Sequence, residues 1–178
     1  DDERIDCEVF DTGGDAASVY LQARAVQAAM AAPARVPLDT LRADMRRVRL
    51  EAGDIDAALS RAGVQIGPIC RAITDIPQSD RQLLARLAAP ADAVDAHLRL
   101  ACLMTGALQA CARLSGDPDA ASRMPSTLAA LRFFAPCGED MYAWVRPDRD
   151  AAGDAAGLRF DVDLVDAEAP GADPGGGV

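Results

Sequence analysis

Residues Leu98 to Leu114 constrain this chain more than any other stretch. Leu100, Leu103, Met104, Ala107, Leu108, Cys111 and Leu114 recur at helical spacing, with Ala101, Gly106, Ala110 and Ala112 among the positions between them. A helix apolar nearly all round has no face to offer water, so other parts of the protein must surround it. Much of the flanking sequence is written as strands. Gln82 to Leu87, Leu131 to Phe134, Met141 to Val145 and Leu158 to Val165 are strand-like and are separated by clusters of Pro, Gly and Asp. A buried helix gripped by one antiparallel sheet is an α+β layer arrangement of the hot-dog kind.

The first third of the chain is organised differently. Ile5 to Phe10 and Ser18 to Arg24 alternate apolar and polar side chains around Asp11-Thr12-Gly13-Gly14-Asp15, the pattern of a half-buried hairpin. The two prolines of Ala32-Pro33-Ala34-Arg35-Val36-Pro37 can neither continue a helix nor sit in a central strand, so this stretch reads as a linker. Two short amphipathic helices are expected after it. Asp39 would cap one with Leu41, Met45 and Val48 on a single face, and Asp54 would cap another with Ile55, Ala58, Leu59 and Ala62 on its face and Gly63 as its stop.

Composition bounds the function. The chain has 178 residues, 50% hydrophobic and 26% charged, which is the make-up of one globular domain with a core of its own; the last residues, ending in Gly171-Ala172-Asp173-Pro174-Gly175-Gly176-Gly177-Val178, read as a disordered tail. A net charge of -10 repels phosphate backbones and anionic lipid, and aromatic residues at 4% are too few for base-stacking platforms, so neither nucleic acid nor a membrane is an expected partner. No apolar run approaches the ~20 residues of a spanning helix, and Asp1-Asp2-Glu3-Arg4 does not open a signal peptide, which points to a cytoplasmic protein. The five cysteines Cys7, Cys70, Cys102, Cys111 and Cys137 are odd in number and lack the paired spacing of a zinc site, so free thiols and no metal are expected.

Three stretches in order, Ala62-Gly63-Val64-Gln65-Ile66-Gly67-Pro68, Leu98 to Ala110 and Leu128 to Phe134, resemble the second half of a dehydratase domain from a modular type I polyketide synthase. In that family two hot-dog folds lie side by side. The first supplies a His from a His-x-x-x-Gly-x-x-x-x-Pro motif, and the second supplies an Asp from its central helix, in a motif reading His-Pro-x-Leu-Leu-Asp-x-x-x-Gln. This chain has Leu100-Ala101-Cys102-Leu103-Met104-Thr105-Gly106-Ala107-Leu108-Gln109 there, so Gln109 matches and Thr105 stands in place of the Asp. The related Tyr-Gly-Pro-x-Phe motif is altered to Ile66-Gly67-Pro68-Ile69-Cys70, which keeps the turn and loses both aromatics. The resemblance divides the chain into strands like the end of a first hot dog (1–31), a linker with a short helix (32–53), a hot-dog domain (54–168) and the tail (169–178). It implies Thr105 and Gln109 as the positions of the catalytic motif and Ile66, Gly67, Pro68 and Cys102 as lining a substrate channel. It also implies no bound cofactor, a substrate carried on the phosphopantetheine of an acyl carrier protein, neighbouring synthase domains as partners, and a possible homodimer.

Dehydrating a 3-hydroxyacyl thioester requires a base for the proton next to the carbonyl and an acid for the leaving hydroxyl. A His suits the first and a buried Asp of raised pKa the second, whereas a threonine hydroxyl cannot donate a proton at useful rates near neutrality. The family's His motif is absent, and the only histidine, His97, stands three residues before the motif's His position and is expected to precede the helix. Thr105 and Gln109 share a stripe, either as remnants of a site or as core groups bonded to backbone carbonyls. Cys102 lies one turn before Thr105, with no His nearby in sequence to activate it. Arg42, Arg46, Arg47 and Arg49 form a basic cluster that could meet a phosphopantetheine phosphate or an acidic carrier, or could be a solvated helix face. Three functions compete: a non-catalytic dehydratase-like domain for architecture or carrier docking, an isomerase or cyclase of altered activity on a carrier-bound thioester, and a domain that binds the acyl chain along the central helix.

Overall fold

A computed structural model of the chain describes residues 4–13, 18–27, 29–45, 48–50, 52–61, 63–79, 81–114, 125, 127–148 and 159–167. It divides into two compact units, Asp1–Ala34 and Arg35–Val178. The expected tail, 169–178, lies outside the described residues.

The first unit is the expected hairpin. Strands β1 (Arg4–Asp11) and β2 (Ser18–Val26) pair antiparallel from Arg4 opposite Val26 to Asp11 opposite Ser18, with an irregularity between Val9 and Phe10. The chain starts to turn where the Asp11 carboxylate accepts the Gly13 N–H at 2.8 Å, a local bond that short acidic side chains offer readily. Arg24 bonds Asp6 and Gln22 bonds Glu8 across the strands. Both faces are exposed rather than one, so Ile5, Val9, Phe10, Val19, Tyr20, Leu21 and Val26 all meet water.

The second unit has a five-stranded antiparallel sheet in the order β3-β4-β5-β6-β7: Val48–Leu50, Ile73–Gln78, Leu83–Ala88, Asp140–Pro147 and Phe160–Asp166. Helix α1 (Leu38–Asp44) precedes β3, α2 (Ala52–Arg61) and a 3-10 turn (Pro68–Cys70) fall between β3 and β4, and α3 (Ala96–Leu114) falls between β5 and β6. This is the α+β hot-dog arrangement, with α3 lying along one face of the sheet. The period of two in the strands sorts the two faces. Leu83, Ala85 and Leu87 of β5 and Met141, Ala143 and Val145 of β6 point toward Leu103, Ala107, Ala110 and Cys111 of α3, and Ile55 and Leu59 of α2 join the same core. Leu84 points the other way, into a smaller cluster with Leu41 and Met45, against which Val36, Leu38, Tyr142 and Trp144 pack.

Several expectations are corrected. The stretch 32–53 is more than a linker with a short helix, because Val36 and Leu38 pack on the outer cluster and Val48–Leu50 forms the edge strand. Val48 therefore leaves the helical face assigned to it, since pairing Val48 with Gln78 supplies backbone partners that one more helical turn would not. Neither Asp39 nor Asp54 precedes its helix; both lie in the first turn, where a negative charge still favours the helix N-terminus, and Pro37 occupies the cap of α1 without a side-chain bond. Gly63 does stop α2, with φ of +77° and the Val64 N–H reaching back to the Leu59 carbonyl at 2.9 Å, while Ala62 lies outside the described residues. Leu131 to Phe134 is not a strand. Among the described residues it has no ladder partner, and Leu131, Phe133 and Phe134 are exposed. Strand β4 is an addition to the expected elements, because Thr74, Asp75 and Pro77 blur its alternation, and its register slips between Ile73 and Asp75.

Candidate functional site

Helix α3 carries the residues of interest, and its first turn fixes where they fall. The Asp95 carboxylate accepts the Leu98 N–H at 2.8 Å, and the Asp95 carbonyl accepts the Arg99 N–H at 3.0 Å, which makes Asp95 the N-cap. An Asp just before an apolar periodic run is a start signal that the sequence carries and that the expected boundary at Leu98 passes over. His97 consequently sits inside the first helical turn rather than ahead of it; its side chain is fully exposed, with Nδ1 3.9 Å from Asp95 Oδ1.

About two and a half turns further on, Gly106 sets how closely the helix approaches the sheet. A Cβ there would lie 3.1 Å from Leu87 Cδ2 and 3.2 Å from the Ala72 Cβ, so the missing side chain is what admits the chain segment just after the 3-10 turn. Thr105 beside it is half-buried, and its Oγ1 donates to the Ala101 carbonyl at 2.8 Å, a bond within the helix. Gln109, one turn beyond, is 3% exposed, and its Nε2 finds no acceptor. The backbone-bonding alternative thus describes Thr105, while the Gln109 amide nitrogen is buried without a partner among the described residues.

The turn Ile66-Gly67-Pro68-Ile69-Cys70 comes up against this helix. Gly67 is extended (φ -63°, ψ 152°), Pro68 opens the 3-10 turn, where its fixed φ is an advantage and its lack of an N–H costs nothing, and the Cys70 N–H closes on the Gly67 carbonyl at 3.0 Å. Ile66 packs on the main core. Of the residues singled out for a channel, Cys102 is buried on α3, whereas Gly67 and Pro68 are exposed. A shallow cleft of about 220 Å³ lies elsewhere, at the start of α3, between Ala89, Pro90, Ala91, Ala93, Val94, Arg99 and Glu139.

The basic cluster does not present four free charges. Arg42 pairs with Asp39 at 3.5 Å and lies over the Tyr142 ring at 4.5 Å. Arg46 and Arg47 lie outside the described residues, as does the side chain of Arg49. On the sheet, Arg86 and Asp140 form an ion pair through two bonds, Nε to Oδ1 at 3.1 Å and a second from the other arm to Oδ2. The Arg86 bond holds the Asp140 carboxyl below the usual carboxylate range, against a smaller opposing effect of burial. In the core, burial pushes the Cys111 thiol up to about 11, and the thiol donates to the Ala107 carbonyl. Among the described residues no cluster of three or more His, Cys, Asp or Glu could hold a metal ion, and no helix is long and apolar enough to cross a membrane.

Residues 33–169 match the family model for the polyketide synthase dehydratase N-terminal domain. The chain belongs to the polyketide synthase dehydratase family. A curated relative is the polyketide synthase PksN of Bacillus subtilis (strain 168), 24% identical over 159 residues, which are 88% of this chain and 3% of that protein. Among solved structures, the dehydratase domain from the CurK module of curacin polyketide synthase matches with a TM-score of 0.74 at 15% identity, over 92% of this chain and 58% of that one. That CurK domain has also been solved as two inactive mutants, one with an Asp replaced by Asn and one with a His replaced by Phe. A trans-AT polyketide synthase dehydratase domain from Brevibacillus brevis matches with a TM-score of 0.65 at 22% identity, over 92% of this chain and 59% of that one. The structural likeness establishes the dehydratase hot-dog fold, and this dehydratase-family chain spans less than two thirds of those domains.

Proposed function

We propose that this chain is a dehydratase-like domain of a polyketide synthase that does not itself dehydrate, and that serves the architecture of the synthase or the docking of its acyl carrier protein. Thr105 carries the reading. It stands at the position of the motif Asp, and its hydroxyl is spent on the Ala101 carbonyl. A hydroxyl with a pKa far above neutrality cannot replace a carboxyl as general acid. The only histidine, His97, is fully exposed beside Asp95 at the end of the helix, and the inactive CurK mutants indicate that such an enzyme needs both its Asp and its His.

In this reading Thr105 and Gln109 mark a decayed catalytic motif, and Ile66, Gly67, Pro68 and Cys102 mark the wall of the former channel. The assignment to the second hot dog rests on those motif positions. The domain binds no cofactor of its own, the phosphopantetheine arm arrives with the carrier protein, neighbouring synthase domains flank it, and it works in the cytoplasm. The test is to incubate the chain with a 3-hydroxyacyl thioester on a carrier protein and follow loss of water by mass spectrometry. No conversion above the protein-free rate is expected, and enoyl product above that rate overturns the reading.

A further inference from the structure

Two cysteines that the dehydration chemistry does not use are brought together by the close approach at Gly106. Ala72 and Ile73 lie against the Gly106 position, at 3.2 and 3.6 Å from where its Cβ would be. Cys102 is one helical turn earlier on the same face of α3, and Cys70 is two residues before Ala72, at the end of a 3-10 turn packed against α3. The chain from Cys70 to Ala72 therefore runs beside the helix from Cys102 to Gly106. This places the Cys70 side chain on the Cys102 side of the helix, near enough to act on the Cys102 thiol. The two thiols differ in access: Cys102 is 1% exposed, whereas Cys70 is half-buried.

We infer that Cys70 and Cys102 form a redox-responsive dithiol that a hydroperoxide converts to a disulfide, fastening the turn Gly67 to Cys70 onto the central helix. The accessible Cys70 reacts first: its thiolate attacks one peroxide oxygen, the O–O bond breaks, and the departing alkoxide or hydroxide takes up a proton, leaving Cys70 as a sulfenic acid. The Cys102 sulfur then attacks the Cys70 sulfur, the S–S bond forms, and the S–O bond breaks with hydroxide leaving as water with the Cys102 proton. Two thiols and one hydroperoxide thus give one disulfide, one alcohol (water, for hydrogen peroxide) and one water, each sulfur losing one electron. Burial, with the neighbouring Cys70 adding to it, pushes the Cys102 thiol up, so it meets peroxide poorly and reacts only at short range, giving its proton to the departing hydroxide as it attacks the sulfenic sulfur. Cys111 serves as an internal standard, being buried with its thiol bonded to the Ala107 carbonyl. The dithiol forms whether or not the domain dehydrates.

The experiment uses the full chain with Cys7→Ser, which removes the one exposed thiol and with it links between chains. Treated with hydrogen peroxide and then alkylated under denaturing conditions, the protein should lose two titratable thiols. Non-reducing peptide mapping should show a Cys70–Cys102 linked peptide two hydrogens lighter than its parts, abolished by dithiothreitol, with Cys111 still alkylated. Adding Cys102→Ser should leave Cys70 oxidised and unlinked. Retention of both thiols, or conversion of Cys70 to the sulfinic acid without linkage in the Cys7→Ser protein, overturns the inference.

Discussion

At Gln109 one buried amide nitrogen decides between two histories of the site. A donor taken out of water without an acceptor costs about 1 to 3 kcal/mol, so a buried Nε2 without a partner is a burden on this chain taken alone. Gln109→Met keeps length and volume and removes that donor. It should leave the urea midpoint unchanged or raise it by an amount equivalent to about 1 kcal/mol, and a fall of more than that would show that the amide has a partner in the folded chain. Asp140 makes a residue-scale prediction of opposite kind. Its folded pKa lies below its unfolded value, so the Arg86 pair stabilises the fold at pH above about 4 and the contribution fades as pH falls through the folded value. Asp140 and Arg86 are both more than a third open to water at the side chain or close to it, so screening keeps the effect within about 1 kcal/mol. Asp140→Asn should therefore cost that little at pH 7 and progressively less as the pH falls below about 4, and a difference that grows on acidification would contradict the assignment.

At the scale of elements, α3 was the part most legible in sequence, because its apolar positions are dense enough to announce a helix without any tertiary knowledge. Its core face was legible too, with Leu103 fully buried and Ala107 and Cys111 nearly so. The expectation that protein surrounds it on every side holds less well: Leu100, Met104, Leu108 and Leu114 are half-buried, and Ala101 and Arg113 are exposed. Leu103→Ala should accordingly cost about 2 to 5 kcal/mol, while Asp95→Ala, which removes the cap, should cost about 1 kcal/mol. Arg81→Ala, on an exposed turn residue, should stay within about 0.5 kcal/mol. Equal shifts of the denaturation midpoint for Leu103 and Arg81 would mean that α3 does not carry the core. Strand β3 and the failed strand at Leu131 to Phe134 were illegible for the same physical reason. Short extended segments take their state from whether a partner edge is available, and β4 offers one to Val48–Leu50 while no described strand pairs with Leu131 to Phe134.

For the molecule as a whole, the sequence disclosed the fold class and the family through the order of three stretches, and the proposal that the site has decayed rests on one residue, Thr105. What it could not disclose was the approach of Ala72, just after the 3-10 turn, to Gly106 of α3, because residues far apart in sequence become neighbours only in the fold. Nor did alternation in β1 and β2 foretell that both faces of that hairpin would be exposed. A two-stranded ribbon with seven large apolar side chains open to water is marginal by itself and prone to pair with another copy. Light scattering should show mass rising with concentration from micromolar upward, and a constant monomer mass would contradict this. The central claim, that the family fold is kept here without dehydration chemistry, is tested most directly by approaching the equilibrium from both sides. Carrier-bound 3-hydroxyacyl and enoyl thioesters would each be incubated with a stoichiometric amount of the chain, because a catalyst of one direction must catalyse the other. The account predicts that neither substrate changes faster than in buffer alone; interconversion of the two above that background, in either direction, would contradict it.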